Sequence, residues 1–381
     1  MMLKRILKKS KLLVSLVQRS RSFVCRAKKK KIAKKIARNI NRHINSDSIV
    51  HLMFNDKFLK PYVDFLNKYF NSQKHIILCK RWFDKYPFPE GENVFEIKSF
   101  DYIDLMRAKK IICHSVFDHE IIEKFYQEQQ LLNKTCCVVW GGDFTSRKKD
   151  ISQSKDIFVL GNFSQYIGGI DEPIVRKMYN ISDKQIFFRS VRYIFPLNKN
   201  ILDNVAPTKK NYIQIQLGQS AQESILDSMD LLYKFKDENI MIVVILSYGG
   251  DGVLENEIIK KGIALFGDKF KYIDNYMSPE DYAKHIANNN ILIINDDHQT
   301  AFGNTTAHLY LGKKVFIRSD IPTGDFLLDN YDIHVYPTEN INKLSFKEFT
   351  ENPFAQSNRN NSLSFFDTNC IAKEWQKVFE S

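Results

Sequence analysis

The sequence predicts an α/β protein with two parallel-sheet domains. Short apolar runs typical of buried strands alternate with amphipathic helical patterns along most of the chain. With 381 residues, 44% of them hydrophobic and 13% aromatic, the chain is long enough to form two separate globular cores. The alternation pauses at a polar stretch that ends in Pro207 and then begins again, so we place a domain boundary there.

The first predicted domain covers residues 47–205. Its predicted strands and helices are a strand at 48–54, a helix at 58–70, strands at 75–79, 94–97 and 110–114, a helix at 118–132, a strand at 136–140 and a strand-like run at 156–161. Asp56, His114 and Asp143 each follow or end one of these strands. Because ligands bind beyond the carboxyl ends of parallel strands, we expect these three side chains to line one crevice.

The second predicted domain covers residues 206–345, and a helical tail over 346–381 is expected to pack back on the body through Trp375. The domain contains strands at 212–217, 240–246, 270–274, 291–294 and 315–317, with helices between them. Ser278 and Pro279 predict the start of the helix at 279–288, because Ser caps helices and Pro favours their first position.

One strand–turn–helix unit of this domain, residues 291–312, predicts an anion site. The apolar strand 291–294 is followed by a polar turn and by a helix that opens at Gly303, Asn304, Thr305 and Thr306. A helix start offers unpaired N–H groups and a positive dipole end, and we expect Gly303 to let a phosphate approach the backbone. The predicted ligand is a diphosphate. An ordinary crossover in which Gly and Thr merely cap a helix is the alternative.

Two other glycine-bearing strand ends in the second domain add to this prediction. Gly218, Gln219 and Ser220 follow the strand at 212–217, and Tyr248 and Gly249 follow the strand at 240–246. Together with Gln299 and the helix start at 303–306, they form the predicted donor-binding set. Three such strand ends suit an enzyme that holds a diphosphate donor in its C-terminal half.

The N-terminal segment, residues 1–46, holds sixteen Lys and Arg residues and no acidic residue, whereas the whole chain has a net charge of +12. The remaining residues include 40 basic and 44 acidic ones. Apolar residues recur at helical spacing opposite the basic ones, which predicts an amphipathic helix at a membrane surface. The predicted membrane contacts include Lys4, Arg5, Lys8, Lys9, Lys28 and Lys29. A nucleic-acid-binding arm or a solvated tail are the alternatives.

The cysteines and the apolar runs indicate the compartment. The six cysteines show no CxxC spacing and mostly lie in apolar runs, which is typical of buried residues in a reducing environment. No apolar run approaches the roughly 18 residues that span a bilayer. The run at 12–17 is too short for a signal peptide. We therefore expect a cytoplasmic protein.

Over residues 48–345 the chain resembles a known family through a series of short motifs in order. They are Asn55-Asp56, Cys113-His114, Trp140-Gly141-Gly142-Asp143, Leu217-Gly218-Gln219-Ser220, Ser247-Tyr248-Gly249, Asp281-Tyr282, and Gln299 with Gly303 and Thr305. The chain is similar to the TDP-N-acetylfucosamine:lipid II N-acetylfucosaminyltransferases, a 4-α-L-fucosyltransferase-like group (glycosyltransferase family 56). The resemblance implies a GT-B fold, in which two Rossmann-like domains face a cleft, here preceded by the basic helix.

The resemblance also implies an activity. The enzyme would move a 4-acetamido-4,6-dideoxyhexose such as Fuc4NAc from a dTDP-sugar to an undecaprenyl-diphosphate-linked saccharide in surface polysaccharide synthesis. It would be peripheral, at the cytoplasmic face of the bacterial inner membrane. The implied partners are the dTDP-sugar, the lipid-linked acceptor and the anionic membrane surface, and no nucleic acid is expected. No cofactor is expected beyond the nucleotide sugar, which is a substrate.

The chemistry of transfer assigns further roles. The departing diphosphate must be neutralised, and in an inverting mechanism a carboxylate takes the proton of the acceptor hydroxyl. Asp143 is the first candidate for this base and Asp56 the second, while His114 would orient either of them or bind acceptor. Alternatively, the two carboxylates are helix caps and His114 is a core residue. We expect Asp281 and Tyr282 to support the loop that holds the thymine base.

Four other interpretations remain. The run 295–298 resembles the acidic metal motif of the other glycosyltransferase fold, although the two-domain layout argues against a metal. The protein could use UDP- or GDP-sugars, or it could be an epimerase that needs no membrane helix. It could also be a non-catalytic scaffold that binds a membrane or nucleic acid.

Overall fold

The computed structural model describes residues 30–82, 85–116, 118–141, 154–218, 222–247 and 252–381. Two sheets form the framework. The strands of the first sheet are β1 (Ile49–Phe54), β2 (His75–Lys80), β3 (Val94–Ile97), β4 (Lys110–His114), β5 (Thr135–Val138), β6 (Gln165–Ile167) and β7 (Ile186–Phe188). Those of the second are β8 (Ile213–Leu217), β9 (Ile240–Ile245), β10 (Phe270–Ile273), β11 (Ile291–Ile294), β12 (Lys314–Ile317) and β13 (Tyr336–Pro337).

The strand orders confirm the predicted α/β class. They are β3-β2-β1-β4-β5-β6-β7 and β10-β9-β8-β11-β12-β13. Neighbouring strands from β3 to β5 in the first order pair in parallel, as do all neighbours in the second. In both sheets the order reverses direction beside the first strand, β1 or β8, which is the doubly wound arrangement.

Most helices occupy the connections between strands, whereas the first precedes β1 and the last three follow β13. The helices are α1 (30–43), α2 (Leu59–Tyr69), α3 (His119–Gln127), α4 (Ser154–Gly161), α5 (Glu172–Tyr179), α6 (Lys199–Asp203), α7 (Ser224–Leu232), α8 (Val253–Phe266), α9 (Pro279–Asn288), α10 (Phe302–Tyr310), α11 (Thr323–Tyr331), α12 (Phe346–Thr350), α13 (Ala355–Ser362) and α14 (Thr368–Glu380). The chain divides into two compact units. Among the described residues, the first unit comprises 30–138 and 154–165, and the second comprises 139–141 and 166–381.

Strand β11 shows why the central strands read as continuous apolar runs. Ile291 and Ile293 belong to the core on one face of the second sheet, together with residues of α7 and α8. Leu292 and Ile294 belong to the core on the other face, with residues of α9 and α10. A parallel strand covered by helices on both sides has no solvent-facing positions, so every side chain is apolar.

The predicted start of α9 is confirmed in detail. The Ser278 hydroxyl accepts the N–H of Asp281 at 3.1 Å, and Pro279 occupies the first helical position. Glu280 and Asp281 lie in the first turn, where their charges complement the helix dipole.

The predicted strand at 156–161 is wrong, because these residues form helix α4. Val159 and Leu160 are buried on one side of this helix, together with Asp156 one turn earlier. The helix packs on α3, with the ring of Phe158 5.7 Å from that of Tyr126. A short apolar run fits a buried helical face as well as a strand, and packing on α3 decides between them.

Helix α1 belongs to the basic N-terminal segment, and its apolar side packs on the protein. Ala37 and Ile40, with Ile44 just beyond the helix, are almost completely buried. Asn41 fixes the helix through its amide, which donates to the carbonyl of Tyr102 at 3.1 Å. Within the described part of the chain, no helix combines the length and the apolar character needed to cross a bilayer.

The C-terminal tail also packs as expected. Trp375 of α14 is fully buried, and its indole N–H donates to the carbonyl of Arg192 at 3.0 Å. The guanidinium of Arg192 forms an ion pair with Glu374 on the same helix. These contacts join the tail to the segment before α6.

Candidate functional site

The predicted anion site lies at the start of α10, beyond the carboxyl end of β11. The helix begins at Phe302, one residue before the predicted start, and Ala301 precedes it in the left-handed conformation with φ +53°. The carbonyl of Ala301 accepts both the Asn304 and the Thr305 N–H groups, at 2.8 and 2.9 Å. The N–H groups of Phe302 and Gly303 have no acceptor within the helix, which is the arrangement that suits an anion at a helix start.

Gly303 has a different structural reason from the one predicted. A Cβ atom at this position would lie 2.5 Å from Cδ1 of Phe195. The space that the missing side chain leaves is therefore filled by an aromatic ring of the same unit. The expectation that it makes room for a phosphate is not supported by this contact.

Asn304 carries the most informative side chain of the helix start. The residue is only 3% exposed, and its Oδ1 accepts the hydroxyl proton of Tyr282. Its Nδ2 has no hydrogen-bond partner among the residues that the structure describes. A buried amide without a partner costs about 1–3 kcal/mol, so this donor is expected to meet a ligand or water.

A buried polar network supports Asn304 from below. His308 Nδ1 lies 2.8 Å from the Asn304 carbonyl, and His308 Nε2 lies 3.0 Å from Asn289 Nδ2. Asn289 Nδ2 also donates to Gln216 Oε1 at 2.7 Å, and Gln216 Nε2 reaches the Tyr282 hydroxyl at 3.4 Å. The network therefore returns to the side chain of the residue at which it begins.

Burial keeps the ionisable members of this network neutral. It lowers the pKa of His308 to about 3, and it raises the pKa of the Tyr282 hydroxyl to about 12. His285, whose Nε2 lies 3.0 Å from Gln216 Oε1, has its pKa lowered to about 4 by burial. At neutral pH these groups act through hydrogen bonds rather than through charge.

The sequence contains a signal for this network that lies outside the motifs named above. Gln214 and Gln216 alternate with Ile213, Ile215 and Leu217 along β8, which is covered by helices on both faces. Two polar side chains on one face of a buried strand require buried partners. Gln214 Nε2 finds its partner in Asn289 Oδ1 at 2.6 Å.

The other residues of α10 point inward. Thr305 and Thr306 are buried, and the hydroxyl of Thr306 donates to the carbonyl of Gly303 at 3.1 Å. This hydroxyl is thus used within the helix. The predicted donor role of both threonines stays a prediction.

The backbone conformation at Gly218, just after β8, favours glycine. Its φ of +59° lies in the left-handed region, which favours glycine. Its N–H donates to the carbonyl of Ile293 at 2.9 Å, and its carbonyl accepts from Gln216 Nε2 at 2.9 Å. The end of β8 is therefore connected both to β11 and to the buried network.

Hydroxyl contacts hold the loop between β11 and α10. Asp296 accepts hydrogen bonds from the hydroxyls of Ser224 and Thr300. The carbonyl of Gln299 lies 3.2 Å from the place where a Cβ on Gly141 would stand, so a side chain there would crowd it. Among the described residues, no three His, Cys, Asp or Glu side chains are placed to share a metal ion.

Asp56 is half-buried directly after β1, as the sequence predicts for a strand end. Its Oδ1 accepts the N–H of Phe58 at 2.8 Å, which stabilises the turn into α2. Burial raises the pKa of this carboxyl to about 6. A carboxylate with such a pKa can accept a proton near neutral pH, so its predicted role as a base stays open.

His114 does not line a crevice, contrary to the expectation. It is 3% exposed, and its Nε2 lies 3.2 Å from His51 Nδ1, while His51 Nε2 lies 2.9 Å from His75 Nδ1. The ring of Tyr62 packs against it at 4.6 Å between centroids. Burial lowers the pKa of His114 to about 3, so it is a neutral core residue of the first unit.

Several predicted residues lie outside the described parts of the chain. They are Asp143, Gln219, Ser220, Tyr248, Gly249 and the membrane-contact residues Lys4, Arg5, Lys8, Lys9, Lys28 and Lys29. Their predicted roles stay predictions.

Solved structures share the fold. A glycosyltransferase from Rickettsia africae is 12% identical, with 88% of this chain and 98% of that chain covered and a TM-score of 0.60. Sucrose-phosphate synthase from Thermosynechococcus elongatus is 9% identical, with 87% of this chain and 98% of that chain covered and a TM-score of 0.62. Anabaena HepE in complex with UDP is 11% identical, with 87% of this chain and 99% of that chain covered and a TM-score of 0.56. At these identities the likeness shows the fold, and it confirms the predicted GT-B class.

Sequence comparison does not extend this result. No family model matches the chain, and no curated protein matches its sequence. The resemblance to the N-acetylfucosaminyltransferases is therefore not confirmed and stays a prediction, beside the confirmed GT-B fold.

Proposed function

We propose that the protein is a glycosyltransferase that takes a sugar from a nucleoside diphosphate bound at the start of α10. The buried Asn304 amide carries this proposal, because its Nδ2 lacks a partner among the described residues and lies at a helix start in a GT-B fold. The N–H groups of Phe302 and Gly303 supply two more donors. Together they suit the negative charge that develops on a departing diphosphate.

The finer proposal names the substrates. The donor is a dTDP-linked 4-acetamido-4,6-dideoxyhexose such as Fuc4NAc, and the acceptor is an undecaprenyl-diphosphate-linked saccharide of common antigen, O-antigen or capsule. This choice is supported by the motif resemblance. The alternative is a UDP- or GDP-sugar, and HepE, which shares the fold, is described in complex with UDP and with UDP-glucose.

Asp56 is the proposed base among the described residues. Its position after β1 and its raised pKa of about 6 support this role, and Asp143 remains proposed beside it. His114 is too deeply buried for direct contact with a substrate, so we propose no catalytic step for it. The expected metal independence also stays a proposal.

We further propose peripheral attachment to the cytoplasmic face of the inner membrane. The support is the outer face of α1, where Lys30, Lys31, Lys34, Lys35 and Arg38 are all exposed. Because Ala37 and Ile40 pack on the protein, this part of the segment would act through charge rather than through an apolar stripe.

The test is calorimetric binding of dTDP, UDP and GDP to the full chain and to Asn304→Asp. This substitution keeps an acceptor for the Tyr282 hydroxyl but replaces the free amide donor by a negative oxygen. We expect at least about a tenfold loss of affinity for every bound nucleotide, because like charges repel in a partly desolvated site. Asn330→Asp, which adds the same charge on the exposed side of α11, is the control.

The outcomes separate the interpretations. Preference for dTDP that is lost in Asn304→Asp supports the proposal, and preference for UDP or GDP keeps the transferase but changes the sugar class. Equal loss in Asn330→Asp would remove the assignment to α10. If no nucleotide binds, the transferase proposal fails and a membrane or nucleic-acid scaffold takes its place. Binding followed by epimerisation of the free nucleotide sugar, without transfer to a lipid, would indicate an epimerase.

A further inference from the structure

An exposed tryptophan stands at the carboxyl edge of the first sheet. Trp82 follows β2 by two residues and is 42% exposed. Its ring packs against that of Phe54, the last residue of β1, with 4.0 Å between centroids. Its backbone N–H donates to Oδ1 of Asn55 at 2.6 Å.

The contacts around Trp82 hold it in place. Asn55 is fully buried, and its own N–H continues the strand pairing by donating to the carbonyl of Lys80 at 3.1 Å. A buried amide and a buried aromatic ring therefore fix an indole that keeps much of its surface in solvent. An indole that is held in this way and still keeps much of its surface in solvent offers a fixed aromatic face to a ligand.

Charged side chains surround the same edge. Asp56 and Lys57 follow Asn55 directly, and both are half-buried. Burial lowers the pKa of the Lys57 ammonium, the negative charge of Asp56 raises it, and the positive charge of Lys85 lowers it by a smaller amount. Lys57 lies three residues beyond the end of β1 and Lys85 lies three residues beyond Trp82, so both ammonium groups belong to the same chain stretches as the indole and can contribute positive charge to an anion site there.

We propose that this edge binds the sugar diphosphate headgroup of the acceptor, with a pyranose ring on Trp82 and the diphosphate at Lys57 and Lys85. An aromatic face suits the apolar C–H face of a pyranose, and two ammonium groups suit a diphosphate. Asp56 lies within the same stretch, where it would meet an acceptor hydroxyl. The inference rests on the proposed transferase function and adds the acceptor site to it.

Binding to the full chain tests this site with a soluble probe, N-acetylglucosamine 1-diphosphate, measured by calorimetry. Free N-acetylglucosamine and inorganic pyrophosphate are the component probes. We expect Trp82→Ala to lower the affinity for the probe on the order of tenfold, and Trp82→Phe to restore part of the lost affinity. Because the contact with Asn55 uses the backbone, neither variant removes it. Tyr126→Ala, at an exposed aromatic residue of α3, is the matched control.

The anion part has its own variant. The double variant Lys57→Met with Lys85→Met should lower the affinity for the probe and for pyrophosphate by similar factors. It should also reduce the salt dependence of binding. Unchanged affinity in Trp82→Ala would overturn the proposal, as would equal affinities for the probe and for pyrophosphate. A melting temperature like that of the wild type confirms that each variant is folded.

Nucleotide binding separates this result from the proposed function. If dTDP or UDP binds with the same affinity in every variant while binding of the probe is weakened in Trp82→Ala, both proposals stand. If nucleotides bind but the probe does not, the acceptor site is wrong and the donor site stands. If Trp82→Ala weakens nucleotides instead, the tryptophan stacks on a base, and the acceptor assignment is overturned.

Discussion

Acid should destabilise the first unit more than the second, because buried histidines are divided unequally between them. The first unit contains three, His51, His75 and His114, and burial lowers the pKa of each, to about 4 for His75 and to about 3 for His114. The unfolded chain binds protons at an ordinary pKa of 6.5. Between pH 6.5 and the folded pKa, the unfolded state therefore holds more protons, and stability is lost as the pH falls.

The magnitude follows from linkage. From pH 7 to pH 5, a histidine with a folded pKa of about 4 or about 3 contributes a loss of about 1.9 kcal/mol, so His75 and His114 together contribute about 3.7 kcal/mol. His51 adds a further loss in the same direction. Asp56 works in the opposite direction, because its folded pKa of about 6 exceeds its model value of 3.8 and the folded state takes up the proton. That offset is about 1.3 kcal/mol, which leaves a net loss of about 2.4 kcal/mol before the further loss from His51 is added.

The second unit should lose less. His285 and His308, with pKa values lowered to about 4 and about 3, together lose about 3.7 kcal/mol over the same interval. Burial raises the pKa of Asp171 to about 7, and this carboxyl returns about 2.3 kcal/mol. The net loss is about 1.5 kcal/mol, a small part of an ordinary folding free energy of about 5–15 kcal/mol.

Hydrogen exchange with mass spectrometry between pH 7 and pH 5, corrected for the intrinsic exchange rate, would measure both units in one sample. We expect protection of β1, β2 and β4 to fall before that of β8 and β11. His114→Phe should reduce the pH-dependent loss in the first unit by about 1.9 kcal/mol, whereas His119→Gln, at an exposed position, should not change it. Equal losses in both units, or an earlier loss in the second, would refute the reasoning.

Three further predictions concern α10 and α1. Tyr282→Phe removes the hydroxyl that holds Asn304, so nucleotide affinity should fall about fivefold by calorimetry, and an unchanged affinity would contradict this role. Gly303→Ala places a Cβ 2.5 Å from Phe195, so thermal unfolding should show a loss of about 1–3 kcal/mol, and wild-type stability would mean that the ring moves freely. Replacing four exposed lysines of α1 with Gln should weaken sedimentation with anionic vesicles, at about 1 kcal/mol per charge, and binding that is equal on neutral vesicles would exclude an electrostatic attachment.

The framework could be predicted because its signals are local. Every strand of the second sheet from β8 to β12 was predicted within about two residues, since a continuous apolar run bounded by polar turns has few other interpretations. The prediction for the start of α9 was exact for the same reason, because Ser278 caps the helix through its side chain and Pro279 restricts the backbone of the first helical position. The failure at α4 shows the limit, since its apolar run fits both types of structure until α3 covers it.

The candidate site could be predicted only in part, because burial is a tertiary property. Position at the end of β4 suggested an accessible His114, yet Tyr62 from α2 and His51 from β1 enclose it. The helix start was located within one residue, but the reason for the glycine at 303 depends on Phe195, more than a hundred residues earlier. No spacing rule connects residues so far apart in the sequence.

The closed network fixes which way the Asn304 amide faces. The backbone carbonyl of Asn304 can only accept a hydrogen bond, so His308 Nδ1 donates to it. His308 Nε2 then carries no proton and must accept from Asn289 Nδ2. Asn289 then donates to Gln216 Oε1, which turns Gln216 Nε2 toward the Tyr282 oxygen. The Tyr282 proton is left with Asn304 Oδ1 as its acceptor.

Turning the Asn304 amide over would break this sequence of donors and acceptors. Nδ2 would then face the Tyr282 hydroxyl, whose oxygen already meets Gln216 Nε2, and the Tyr282 proton would have no acceptor in the network. The turned amide would also present its oxygen, rather than its N–H groups, at the helix start. Because His308 stays neutral, the network selects this orientation through hydrogen bonds alone, and selection should persist at any pH between about 3 and 12 at which the fold itself survives.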